Sequence, residues 1–95
     1  MRNNAIKPIS KDRFDSFHRD PGAIFDADSS ERSWFANEAE TLIGAVFLEK
    51  GVGDWGYVLL RADDGKFRFH GIEDSFATQD QAEMFLKIRM SGTAT

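Results

Sequence analysis

The chain has 95 residues, a net charge of −4 and no cysteine, and 41% of its residues are apolar and 13% aromatic. That length makes a single domain with one modest core, and the apolar content is too high for a disordered chain. Disulfide frameworks, thiolate zinc sites and cysteine nucleophiles are excluded, and the acidic balance argues against non-specific binding to a DNA backbone.

Residues 1–8, ending at Pro8, read as a flexible lead-in without the apolar run of a secretory signal. No stretch approaches the roughly 20 apolar residues of a membrane span, so a cytoplasmic bacterial protein is expected. A short helix is predicted from Ser10 to about Arg19. Ser10 is a suitable N-cap, Ile9 and Phe14 take the two positions of a hydrophobic staple, and Phe14, Phe17 and His18 share one face. Asp20-Pro21-Gly22 stops this helix. Ala23-Ile24-Phe25 is a candidate short strand in an otherwise irregular segment. Arg32 to Asn37 reads as a strand, and Glu38 to Thr41 as a turn. Leu42 to Leu48 is a strand with two apolar faces, as expected for a central position.

The stretch from Trp55 to Ile72 predicts a β-hairpin turning at Asp64-Gly65, since a two-residue turn needs the positive φ angles these residues tolerate. With that loop, Leu60 lies opposite Phe69 and Ala62 opposite Phe67. One face then holds Val58, Leu60, Ala62, Phe67 and Phe69. The other holds Trp55, Tyr57, Leu59, Arg61, Lys66, Arg68, His70 and Ile72. After the hairpin, Thr78-Gln79-Asp80-Gln81 matches a capping box that opens a helix to about Met90. Ala82, Phe85 and Leu86 are expected to face the sheet, with Met84, Ile88 and Met90 on the flanks. Residues 91–95 form a frayed tail.

These elements give an α+β fold, a single domain over residues 9–90. Its core is a four-stranded antiparallel meander, with a short N-terminal helix before it and a C-terminal helix after it. The C-terminal helix is expected on the all-apolar hairpin face, and Phe14 and Phe17 on the other.

The main candidate site is the aromatic and basic face: Trp55, Tyr57, Arg61, Arg68 and His70. Such a face stacks on single-stranded nucleic acid or anchors a protein partner. Arg61 directly opposite Arg68 calls for a bound anion or a nearby carboxylate, with Asp12 or Asp15 as candidates. Asp26 and Asp28 follow an apolar pair in a D-x-D pattern. The phosphoryl-transfer motif it resembles needs a parallel α/β sheet, so the segment reads as a solvated acidic loop. His18 and His70 have no metal-ligand spacing, and Gly51-Val52-Gly53 lacks the Lys of a phosphate cradle. Residues 11–40 hold the whole net negative charge, which allows a second role as an acidic nucleic-acid mimic of the kind mobile elements use as inhibitors.

The residues Trp34-Phe35-Ala36-Asn37-Glu38, Leu42-Ile43-Gly44 with Val46, Asp54-Trp55 with Tyr57 to Leu60, Gly65 to Arg68, and Ser75-Phe76 with Gln81-Ala82 resemble a group of small α-proteobacterial proteins of unassigned function. More distantly, Ser75 to Thr78 followed by Gln81-Ala82-Glu83 resembles the arm-binding domain of phage-type integrases, which reads DNA with a basic sheet face. Here Asp63, Asp64, Glu73 and Asp74 flank the sheet instead. Double-stranded-RNA-binding domains share the element order, but they need a basic run where Thr78 to Gln81 stands.

No catalytic constellation or cofactor motif emerges. The sequence therefore reads as a non-enzymatic module that binds another macromolecule through a sheet face or edge. The expected occupant is a protein or a second copy. Nucleic acid is the alternative, disfavoured by net charge, and no membrane is expected.

Overall fold

A computed structural model of the chain describes residues 5–20, 29–49, 51 and 53–93. Five strands form one antiparallel sheet in chain order: β1 (Ile6–Ile9), β2 (Ser29–Asn37), β3 (Leu42–Glu49), β4 (Trp55–Asp63) and β5 (Lys66–Phe76). Helix α1 (Lys11–Ser16) stands between β1 and β2, and α2 (Gln79–Thr93) follows β5. The α+β meander is there, with one strand more than the expected four.

The extra strand comes from the segment read as a flexible lead-in. Ile6 pairs opposite Asn37 and Ile9 opposite Trp34, which makes β1 an edge of the sheet. Pro8 hid it. A proline cannot donate to a ladder, but an edge strand leaves one side unbonded, so the missing N–H is tolerated there.

Helix α1 starts as expected, with the Ser10 hydroxyl accepting from the Arg13 N–H at 3.0 Å. It ends at Ser16, three residues short of the expected Arg19, because Phe17 takes an extended backbone (ψ 136°). The chain then runs along the outer side of β5. The Phe67 N–H donates to the His18 carbonyl and the Asp20 N–H to the Phe67 carbonyl, each at 2.8 Å. Residues 6–20 thus form a strap from one edge of the sheet, across a face, to the other edge. Glu40, in the β2–β3 turn, holds the near end of the strap through ion pairs with Arg13 and Lys7. The Arg13 guanidinium keeps the Glu40 carboxyl below its ordinary range.

The two helices sit on the faces opposite to those expected. Phe14 of α1 is fully buried on Ala36, Ile43, Ala45, Val58, Leu60 and Phe67, and Phe17 meets the Phe67 ring edge-on at 5.0 Å. Helix α2 buries Ala82, Leu86 and Met90 on Phe35, Leu42, Val46, Tyr57 and Leu59. The expectation treated the hairpin's second face as one aromatic and basic surface. That face is divided instead: Tyr57 and Leu59 lie under α2, and Arg61 and Arg68 lie nearer the hairpin tip. Gly44 in the central strand makes room for Leu86, which lets α2 settle close to the sheet.

The Thr78 hydroxyl accepts from the Gln81 backbone N–H at 3.1 Å, and the Gln81 side-chain Oε1 accepts from the Ala77 N–H at 3.0 Å. The capping box is therefore present, reaching back one residue further than the usual form. Helix α2 extends to Thr93, past the expected stop near Met90. No helix among the described residues is long and apolar enough to cross a membrane. The candidate strand Ala23-Ile24-Phe25 and the Asp26/Asp28 pair lie outside the described residues.

Candidate functional site

The hairpin forms in the expected register. Asp64 and Gly65 make the two-residue turn with φ angles of 57° and 85°, and Leu60 pairs with Phe69, Arg61 with Arg68 and Ala62 with Phe67. Positive φ at both central positions is the type I′ geometry that matches strand twist, and it is why Gly65 stands there.

Two irregularities in β5 alter what the hairpin presents. The pairing steps from Leu60–Phe69 to Leu59–Gly71, so His70 is an extra residue and forms a β-bulge. A second shift lies between the Tyr57–Glu73 and Trp55–Phe76 pairs, where Ser75 takes a φ of 73°. Past His70 the alternation is inverted. Ile72 faces Val58 on the α1 side, where the sequence pattern had assigned it to the other face, and Glu73 faces Tyr57.

The five expected site residues are consequently dispersed. Tyr57 is fully buried beneath α2, and Trp55 is half-buried against the same cluster. The Tyr57 hydroxyl donates to Glu73 Oε1 at 2.6 Å, and Arg89 Nη1 reaches the hydroxyl oxygen at 3.5 Å. Burial, reinforced by the adjacent Glu73 carboxylate, pushes the Tyr57 hydroxyl up to about 12. Its ring stacks on Phe76, which stacks in turn on Phe85, with centroids 5.9 and 5.2 Å apart. Tyr57 is therefore a core residue with a satisfied polar tip, not a stacking platform.

Arg61 and His70 remain exposed. The Arg61 side chain has no hydrogen bond or ion pair among the described residues. Arg68 is partly covered and already compensated: its Nη1 donates to Asp20 Oδ2 at 3.2 Å, and its Nε lies 3.1 Å from Asp63 Oδ2. The second contact is an ion pair off the N–H direction, so the buried Nε has no true hydrogen bond. Carboxylates do relieve the Arg61–Arg68 repulsion, but they are Asp20 and Asp63. Asp15 instead pairs with Lys11 and Arg19. Around this pair Arg61, Asp63, Arg68, Phe69 and His70 line a shallow depression of about 370 Å³. His18 is exposed and joins β5 through its backbone carbonyl. Among the described residues, no three His, Asp or Glu side chains gather where a metal ion could sit.

The sequence pattern missed where large apolar side chains stay in contact with water. Among the described residues these are Phe69, Ile72, Met84, Phe85 and Ile88, all on β5 and α2. Phe69, a core residue by the sequence pattern, is half exposed beside the His70 bulge. Met84 and Ile88 carried a readable signal: their four-residue spacing forms a second apolar row on α2, separate from Ala82, Leu86 and Met90. In comparisons with known proteins, the chain matches no family model, no curated protein and no solved structure.

Proposed function

We propose that this chain is a non-enzymatic interaction module that binds a protein partner along the outer edge of β5. The supporting observation is that Phe69 and Ile72, both half exposed, stand on an edge strand whose neighbouring sheet faces are already closed by helices. Residues 18–20 occupy this edge only at Phe67. Beyond that point the strand offers apolar anchors flanked by Arg61, His70, Glu73 and Asp74, the mix of apolar centre and charged rim that suits a protein interface. The bulges at His70 and Ser75 interrupt regular pairing and so discourage indefinite edge-to-edge stacking. Nucleic acid fits this surface poorly, because Tyr57 is buried and Arg68 is already paired with carboxylates.

The test is affinity capture with the full chain beside the Phe69→Asp, Ile72→Asp double variant, with circular dichroism confirming that both are folded. A partner held by the wild type and lost from the folded variant is the expected result. Equal recovery of the same proteins by both would remove β5 from the interface.

A further inference from the structure

A separate surface on α2 carries a second inference, independent of the partner at β5. Helix α2 has two apolar rows. Ala82, Leu86 and Met90 are fully buried against the sheet, whereas Met84 and Ile88 are 51% and 57% exposed. With Asp80, Glu83, Lys87 and Ser91 they line an open groove of about 580 Å³ along the outer side of the helix. A solvent-facing helix position is cheaply filled by a polar residue, so a Met and an Ile one turn apart there call for a cover.

The charges beside the row indicate which cover fits. Glu83 and Lys87 stand one turn apart on the side of the row nearest β2: Glu83 accepts from the Ser33 hydroxyl at 2.8 Å, and the Lys87 ammonium lies 4.9 Å from the centre of the Phe35 ring. When two copies of one helix pack antiparallel around a two-fold axis, each side of the seam meets the same side of its mate. A two-fold axis passing midway between Met84 and Lys87 brings Met84 within one residue, about 1.5 Å along the helix, of Ile88 on the second copy. The same offset brings Glu83 to Lys87 of the second copy, and the symmetry repeats both contacts. The geometry points to the outer face of α2 as an antiparallel interface between two copies of this chain, with Met84 and Ile88 as its apolar seam and two Glu83–Lys87 pairs along its side. A single helical stripe lies at the small end of stable interfaces, so the dimer is concentration-dependent.

Sedimentation velocity of the full chain over a dilution series tests this. The wild type is expected to shift from dimer to monomer on dilution, and Met84→Asp with Ile88→Asp to stay monomeric while keeping its circular dichroism. Glu83→Lys and Lys87→Glu, each alone, place like charges together and should be monomeric. An equimolar mixture of these two variants restores both pairs and should sediment as a heterodimer. The Glu83→Lys, Lys87→Glu double variant should likewise dimerise. A wild type that is monomeric at every concentration, a dimer that survives the Met84/Ile88 substitutions, or a mixture that remains monomeric would each overturn the proposal.

Discussion

Leu86 occupies the space that a side chain at Gly44 would need: a Cβ on Gly44 would lie 2.8 Å from Leu86 Cδ1 and 3.0 Å from the Val58 carbonyl oxygen. The centre of α2 thus rests directly on the backbone of β3. Gly44→Ala is expected to destabilise the protein by about 1–3 kcal/mol, because neither the ladder nor the helix can give way without loosening the core. Leu86→Ala alone should cost about 2–5 kcal/mol. The double variant should lose clearly less than the sum of the two, since each substitution makes room for the other. Urea unfolding of the four proteins measures this, and strict additivity would show that the two residues do not share the space.

Tyr57 is the only tyrosine in the chain, so its titration can be followed by ultraviolet absorbance without ambiguity. Phenolate formation is expected near pH 12 in the folded protein, against the ordinary 10.0. The folded value lies above the unfolded one. The stabilising contribution is therefore complete below pH 10 and is lost as the pH rises through about 12. Stability should decline over that alkaline window, and Tyr57→Phe should remove this part of the decline. Full ionisation near pH 10 with the fold intact would contradict the burial of the hydroxyl.

The buried amide of Asn37 organises the β2–β3 turn. Its carbonyl oxygen accepts from the N–H groups of Thr41 and Leu42 at 2.8 and 3.0 Å, and its amide donates to the Thr41 hydroxyl at 2.9 Å. Asn37→Ala leaves the buried Leu42 N–H without a partner and should cost about 1–3 kcal/mol. Hydrogen exchange at Thr41 and Leu42 should accelerate with it. Unchanged exchange at both amides would mean the turn holds itself.

Local chemistry was legible in the sequence wherever a few adjacent residues decide the outcome. Asp64-Gly65 set the turn and the pairs up to Leu60–Phe69, Ser10 capped α1, and Thr78 with Gln81 opened α2. The errors arose where the deciding partner is remote. β1 exists because β2 offers it an edge, and Ile6-Lys7-Pro8-Ile9 alone carries no such signal. The bulge at His70 is a one-residue slip that inverts the side chains from Gly71 to Glu73, until the second shift restores the phase at Phe76, and no residue type announces it. The exchange of the helices followed from judging a sheet face by its average character, when its inner part was apolar and its tip charged. That error dissolved the expected site. Tyr57 and Trp55 went under α2 and Arg68 to Asp20, while the exposed apolar residues lay on β5 and α2.

The strap from Ile6 to Asp20 also dictates an order of assembly. On the ribosome, Ile6 emerges long before Asn37, and Arg19 long before Phe67, the residues with which they pair. Residues 6–9 can pair with β2 once Asn37 has been synthesised, but the contacts of residues 18–20 wait for the far strand of the hairpin, and these long-range contacts close the strap last. A nascent chain halted before Phe67 leaves Phe17 without the ring it meets edge-on and Phe14 without one wall of the cluster that buries it.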